Sequence, residues 1–286
     1  MSVTFSEKSR AFLASFDNLK EQFWEKGYVV IPKAFSQQEV ALVKRAIIGC
    51  EAMNERFRDV KAKFDSGKKP SFESIFVMND VFGNDVFSKM TRNYKLIDMV
   101  SYLFDDDAYV YHNKVTLKYS NSVGFKFHQD YFYWYQMGCL FPQMATCFIA
   151  LDAATEENGC LRLMPGSHKM GRVEHTLFDG FSDSEVEAER LNAAKQRFDE
   201  VPIALSPGDA VLFHCNLFHG SHDNLSDHSR LALLGCYNTK ANSPINRRWS
   251  HPPYAPQSRF FGPLQEEDVE NLPDFSVTFE QASEAV

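Results

Sequence analysis

Six short runs rich in Val, Tyr, Phe and Leu follow one another after Asp107: Ala108 to Tyr119, Thr146 to Leu151, Cys160 to Met164, Val201 to Leu205, Ala210 to His214 and Leu231 to Tyr237. Runs of this length, built from β-branched and aromatic residues and bounded by turn residues, read as strands. The turns are written into Glu157-Asn-Gly159, Pro165-Gly-Ser167 and Ser206-Pro-Gly-Asp209. Strand after strand without regular helical alternation predicts a sandwich or jelly roll and argues against a doubly wound parallel sheet. Neither a G-x-G-x-x-G nor a P-loop pattern is present.

The chain before this region is helical in pattern. Phe16, Leu19, Phe23 and Trp24 mark an amphipathic helix that Gly27 ends. Tyr28-Val-Val-Ile-Pro32 reads as a strand, and Ser36-Gln-Gln-Glu39 has the form of a capping box opening a helix through Ile48. Residues 59 to 72 are expected to form a polar connection, and a further helix to run from about Asp85 to Phe104. Residues 168 to 200 form a charged excursion between strands that could lie over one mouth of a barrel. No linker is evident, so the whole of 1–286 is expected to be one domain: a helical N-terminal support (1–107), a β core (108–240), and a C-terminal loop and tail (241–286).

Composition narrows the partners. A chain that is 44% hydrophobic and 14% aromatic has ample material for a core. With 30 Lys and Arg against 38 Asp and Glu the net charge is −8, which repels nucleic acid and anionic lipid. No run approaches the roughly 20 apolar residues of a membrane helix, and the N-terminus lacks the basic-then-apolar order of a signal peptide. A cytoplasmic protein is expected. The six cysteines form no C-x-x-C pair and are expected to be reduced and mostly buried.

The most informative local feature is Phe127-His128-Gln129-Asp130. If it is a strand, His128 and Asp130 project from one face and can converge as metal ligands, with Gln129 turned away. A second, later histidine would complete the set of two His and one carboxylate that leaves open positions on a non-haem Fe(II). Alone, H-x-D arises by chance. It gains weight from Pro207-Gly-Asp-Ala-Val-Leu-Phe-His214-Cys-Asn-Leu-Phe-His219-Gly-Ser221-His222, which offers three candidates. His214 ends an apolar strand and reads equally as a structural histidine, and His222 lies in a polar turn. His219 precedes Gly220-Ser221, where the backbone can approach an ion closely. Eleven residues on, Arg230 opens an apolar run; turned inward, its guanidinium needs a carboxylate.

In these segments, together with Glu157-Asn-Gly-Cys-Leu-Arg-Leu-Met-Pro-Gly-Ser-His168, the sequence resembles the phytanoyl-CoA dioxygenase family of Fe(II)- and 2-oxoglutarate-dependent oxygenases, over roughly residues 20 to 240. The resemblance implies a double-stranded β-helix, a cupin-like jelly roll with helices packed outside. It implies a metal triad of His128, Asp130 and His219, and 2-oxoglutarate held through its C5 carboxylate by Arg230 with help from Ser221. Gln129 matches a position beside the cosubstrate, and Thr116 is a further candidate for that role. Halogenating relatives have a small residue where Asp130 stands, so hydroxylation or desaturation is favoured over halogenation. Fe(II), 2-oxoglutarate and O2 are the implied cofactor and cosubstrates.

Substrate is less legible. In Tyr131-Phe-Tyr-Trp-Tyr135, Phe132 and Trp134 share the even register of His128 and Asp130 if a strand continues that far. They could line a pocket for a cation or an apolar metabolite, or pack in a core. The stretch from Asn242 to Tyr254, with Arg247, Arg248 and His251, could cover the site or wrap the surface. A small-molecule hydroxylase is the leading expectation, and a cupin-like metal protein of other function or a peptide hydroxylase are the alternatives. Arg230 separates the first alternative, since a site without 2-oxoglutarate has no use for that guanidinium.

Overall fold

The computed structural model describes residues 3–66, 75–78, 81–177, 184–245, 253–273 and 275. Two helices, α1 (Glu7–Leu13) and α2 (Leu19–Lys26), precede strand β1 (Tyr28–Ile31). Gly27, at φ 84°, turns the chain between them; a Cβ there would meet the His168 ring at 2.6 Å. The capping box of α3 (Gln37–Gly49) is formed as expected, with Ser36 Oγ accepting from Glu39 N–H and Glu39 Oε2 accepting from Ser36 N–H. α4 (Glu51–Asp65) follows, so residues 59–65 are helical where a polar connection was expected. The charged residues there lie on the outer face of a helix whose Met53, Phe57 and Val60 are buried. Residues 67–72 of that segment lie outside the described residues.

After β2 (Ile75–Met78), the helix expected over 85–104 is two helices, α5 (Val86–Thr91) and α6 (Tyr94–Phe104). Asn93 separates them by capping α6, its side chain accepting from Lys95 N–H. The remaining elements are β3 (Ala108–Lys118), α7 (Asp130–Gln136), β4 (Met144–Ala150), β5 (Leu161–Leu163), β6 (His175–Leu177), β7 (Ser184–Val186), α8 (Ala188–Lys195), β8 (Val201–Ile203), β9 (Ala210–His214), β10 (His219–Ser221), β11 (Arg230–Thr239) and α9 (Glu266–Glu270). All six expected runs contain strands, and β2, β6, β7 and β10 are additional.

The strands form a jelly roll. The major sheet has the order β1-β9-β4-β11-β3-β2 and the minor sheet β10-β5-β8, every pairing antiparallel. Alternation along each strand splits the major sheet into two faces. Val115, Cys147, Ile149, Leu212 and Leu233 pack against α2, α3 and α6 through Phe23, Val43, Ile47, Leu96 and Val100. Phe148, Val211, Phe213 and Ala232 face the minor sheet's Leu161, Leu163 and Ile203. A register shift between Cys236 and Tyr237, opposite Tyr111, reverses the alternation at the far end of β3. Beyond it Tyr109 and Tyr111 pack with Trp134.

The excursion over 168–200 contributes β6, β7 and α8. Val186, Leu191 and Ala194 pack against Phe127, Met164 and Phe218, backing the segment that carries His128; residues 178–183 lie outside the described residues. All six cysteines are buried free thiols.

Candidate active site

His128 is not in a regular strand, and Asp130 is the first residue of α7, so the strand geometry expected for His-x-Asp is not what brings them together. Instead, His128 forms a single antiparallel bridge to His219 at the start of β10, with N–H···O bonds of 2.9 and 3.1 Å in both directions. The bridge sets the two imidazoles 4.1 Å apart between centroids. The turn into α7 then swings the Asp130 carboxylate back toward them, with Oδ1 3.8 Å from His219 Nε2.

One donor atom from each of His128, Asp130 and His219 lies within 4.8 Å of the others, and all three residues are buried. His128 Nδ1 contacts Lys126 O at 2.8 Å and His219 Nδ1 contacts Leu217 O at 2.9 Å. Each carbonyl accepts the Nδ1 proton, which leaves both Nε2 lone pairs for a cation. Burial, followed by the neighbouring His219, pushes the His128 pKa down to about 3, and burial lowers that of His219. Burial works against the Asp130 carboxylate, but His219, Lys114 and His128 together with the Thr146 hydroxyl outweigh it and hold its pKa below the ordinary value. Thr146 Oγ1 donates to Asp130 Oδ2 at 2.5 Å. Two neutral imidazoles and one oriented carboxylate are a donor set suited to Fe(II).

A second polar cluster lies where β3 and β11 pair, Arg230 opposite Lys118. Arg230 is 2% exposed, donates from Nη1 to Gly159 O at 2.7 Å and stands over the Phe148 ring. Its Nε has no hydrogen-bond partner among the described residues. Lys118 Nζ donates to Ser221 Oγ at 2.7 Å and to His222 O. Burial and then the charge of Arg230 push the Lys118 pKa down to about 7. Gly159, at φ 76°, passes so close that a Cβ would lie 2.8 Å from Lys118 Nζ. Two cations and a hydroxyl converging in a buried place are built for an anion such as a carboxylate. Between the two clusters lies a cavity of about 490 Å³, lined by Thr116, Tyr133, Trp134, Phe148, Phe213, Ser221, Arg230 and the triad, among others.

The sequence profile of the phytanoyl-CoA dioxygenase family (PhyH) matches residues 23–232. The chain belongs to this family. Its enzymes are Fe(II)- and 2-oxoglutarate-dependent dioxygenases, and so is this one. The chain is 28% identical over 270 residues to an ectoine dioxygenase of Stutzerimonas stutzeri, covering 86% of this chain and 85% of the relative. It is 27% identical over 259 residues to a methylphosphonate hydroxylase of Gimesia maris, covering 90% and 92%. The crystal structure of EctD from S. alaskensis with 2-oxoglutarate and 5-hydroxyectoine shares the fold at a TM-score of 0.67 and 19% identity, over 92% of this chain and 91% of that one.

Within this PhyH-family fold, the other expected site residues fall on both sides of the cavity wall. Thr116 and Ser221 line it. Gln129 does not. Its amide donates to Gly171 O and Asn216 O and accepts from Val173 N–H, so it braces three loops behind the metal cluster. Phe132 is likewise turned away and stacks on His175 at 4.2 Å, because in a helix residues i and i+2 do not share a face. Trp134, one helical turn from Asp130, reaches the cavity; it is 2% exposed and meets Tyr111 and His112 edge-on. Tyr133 lines the cavity in place of Phe132. His214 packs among Phe23, Trp24 and Phe104, with Nδ1 accepting from Asn216 N–H, and is structural. His222 is half-buried and faces Glu200 at 3.7 Å. Arg247, Arg248 and His251 lie outside the described residues.

Sequence reasoning missed Thr146, Lys118, Lys114, His112 and Arg56. The last three also line the cavity. A signal existed on β3, where His112, Lys114, Thr116 and Lys118 alternate with Asn113, Val115 and Leu117. An alternating strand flanked by apolar strands has no solvent to give its polar face, so that face must border a cavity.

Proposed function

We propose that His128, Asp130 and His219 hold the Fe(II), that Arg230, Lys118 and Ser221 hold the C5 carboxylate of 2-oxoglutarate, and that the chain hydroxylates a C–H bond of a compact metabolite. The single observation behind this reading is the convergence of three buried donors whose two Nδ1 protons are already given to backbone carbonyls. When bound, the iron would supply the oxidising power by consuming 2-oxoglutarate and O2, with succinate and CO2 as the co-products of the hydroxylation. The protein's own part is placement. Thr146 fixes the carboxylate, Arg230 fixes the cosubstrate, and Phe148, Phe213, Leu161 and Leu234 exclude water from the reacting space.

A cavity of about 490 Å³ suits a small molecule better than a peptide segment, and relatives named for ectoine and methylphosphonate support the same choice. Asp130 fills the carboxylate position, which favours hydroxylation over halogenation. The reading takes residues 1–286 as one functional unit, supported by the single apolar cluster that joins helices α2, α3 and α6 to the major sheet. A cytoplasmic setting is supported by six free thiols. Among the described residues, no helix is long and apolar enough to cross a membrane.

The test is a metabolite screen with Fe(II), 2-oxoglutarate and ascorbate that follows succinate and the mass gain of one oxygen atom. One metabolite should yield both in equal amounts. An iron-loaded protein that binds no 2-oxoglutarate would overturn the reading.

A further inference from the structure

Two further cations, Lys114 and Arg56, line the cavity without an ion-paired carboxylate among the described residues. Lys114 projects from the polar face of β3, opposite Leu234, four residues along the strand from the Lys118–Arg230 pair. At about 3.3 Å per residue, that places it roughly 13 Å from the cosubstrate end. Among the described residues its ammonium group makes no hydrogen bond and no ion pair, although the Asp130 charge favours its charged form. Arg56 enters the same cavity from α4, and its Nε is buried with no hydrogen-bond acceptor among the described residues. Its neighbour on the helix, Arg58, differs in being paired with Glu51 on the exposed side.

Formal charge then decides what is missing. Among the described residues lining the cavity, Asp130 is the only carboxylate. On the reading above, the dication, Arg230 and Lys118 already outweigh Asp130 and the two carboxylates of 2-oxoglutarate, so no negative charge there remains for a further cation. Lys114 and Arg56 are left over, each half-buried at the wall of a largely apolar space, and cations so placed favour an anionic partner. We propose that Lys114 and Arg56 receive an anionic group of the primary substrate, a carboxylate or phosphonate on a small organic molecule, on the side of the metal away from Arg230. Ile75, Val77 and Leu234 line the same cavity and offer apolar contact for the substrate's carbon skeleton, while the metal-facing carbon lies between the two anion sites. The proposal rests on the Fe(II) and 2-oxoglutarate assignment and adds the substrate class to it.

The experiment is calorimetric titration under nitrogen of the full chain loaded with Fe(II) and 2-oxoglutarate. The probes are methylphosphonate, propionate, the neutral dimethyl sulfone and the cation tetramethylammonium. At least one of the two anions should bind, more weakly as salt is added, and the neutral and cationic probes should bind at least tenfold less tightly or not at all. The tighter of the two anions identifies the headgroup. Lys114→Met should weaken anion binding by about tenfold or more and Arg56→Met by a comparable factor, with the 2-oxoglutarate Kd unchanged, since a charge-assisted contact is lost in each. The inference is overturned if the neutral or cationic probe binds as well as the anions, or if folded Lys114→Met keeps full anion affinity. Failure of the wild type to load Fe(II) and 2-oxoglutarate would instead remove the underlying assignment, and this inference with it.

Discussion

The hydroxyl of Thr146 should govern how tightly the protein holds its metal. It donates to Asp130 Oδ2 at 2.5 Å inside a buried cluster, with the Cys236 sulfur 3.8 Å behind it. Burial pushes the Cys236 thiol up to about 12, so the sulfur keeps its proton and can donate it to Thr146, leaving the Thr146 proton to the carboxylate. Thr146→Val keeps the shape and deletes that donor. A hydrogen bond to a charged group is worth about 1.5–3 kcal/mol, and loss of a residue that orients a ligand typically costs about 10–100-fold in metal affinity. The two magnitudes agree, since tenfold corresponds to about 1.4 kcal/mol. Anaerobic titration with Fe(II), or with Co(II) as an air-stable substitute, should therefore give a Kd raised about 10–100-fold in Thr146→Val, while Thr146→Ser stays close to wild type. A folded Thr146→Val protein with unchanged metal affinity would refute the reasoning and reduce Thr146 to a packing residue.

Other outcomes follow from the same geometry. His219→Ala should abolish metal binding with little loss of Tm, whereas His214→Ala should keep metal binding and lower Tm, because His214 fills an aromatic nest; the reverse result would exchange their roles. Arg230→Ala should raise the 2-oxoglutarate KM greatly and Arg230→Lys should restore only part of the affinity, as steady-state kinetics would show. Lys118 is held near 7 in the free enzyme, and a bound carboxylate favours its charged form, so 2-oxoglutarate should bind with proton uptake above about pH 7. Affinity should fall as pH rises from there, and Lys118→Met should flatten that profile in direct binding measurements. Trp134→Ala should cost about 3–5 kcal/mol of stability by chemical denaturation, because the ring is a core residue as well as a cavity wall.

The sequence by itself determined the strand succession and the capping box at Ser36, and it singled out His128, Asp130, His219 and Arg230 as candidates that the fold brings to one cavity. Each is carried by a local pattern or a short motif, and local patterns survive without knowledge of neighbours. What the chain does between motifs was decided by tertiary packing. Asp130 opens a helix because the chain must turn away from the bridge at His219, and no period within Tyr131–Tyr135 records that bridge. That one change sent Phe132 against His175, left Trp134 at the cavity and brought Tyr133 into it. Gln129 became a brace because three carbonyl and amide groups from loops 42 to 87 residues away meet there. Thr146, Lys118, Lys114 and Arg56 became legible only in three dimensions. Each sits on an element that reads as ordinary strand or helix, and it is the face it presents, set by register across β3, β4 and β11 or by the docking of α4, that sets it against Asp130, Ser221 or the cavity.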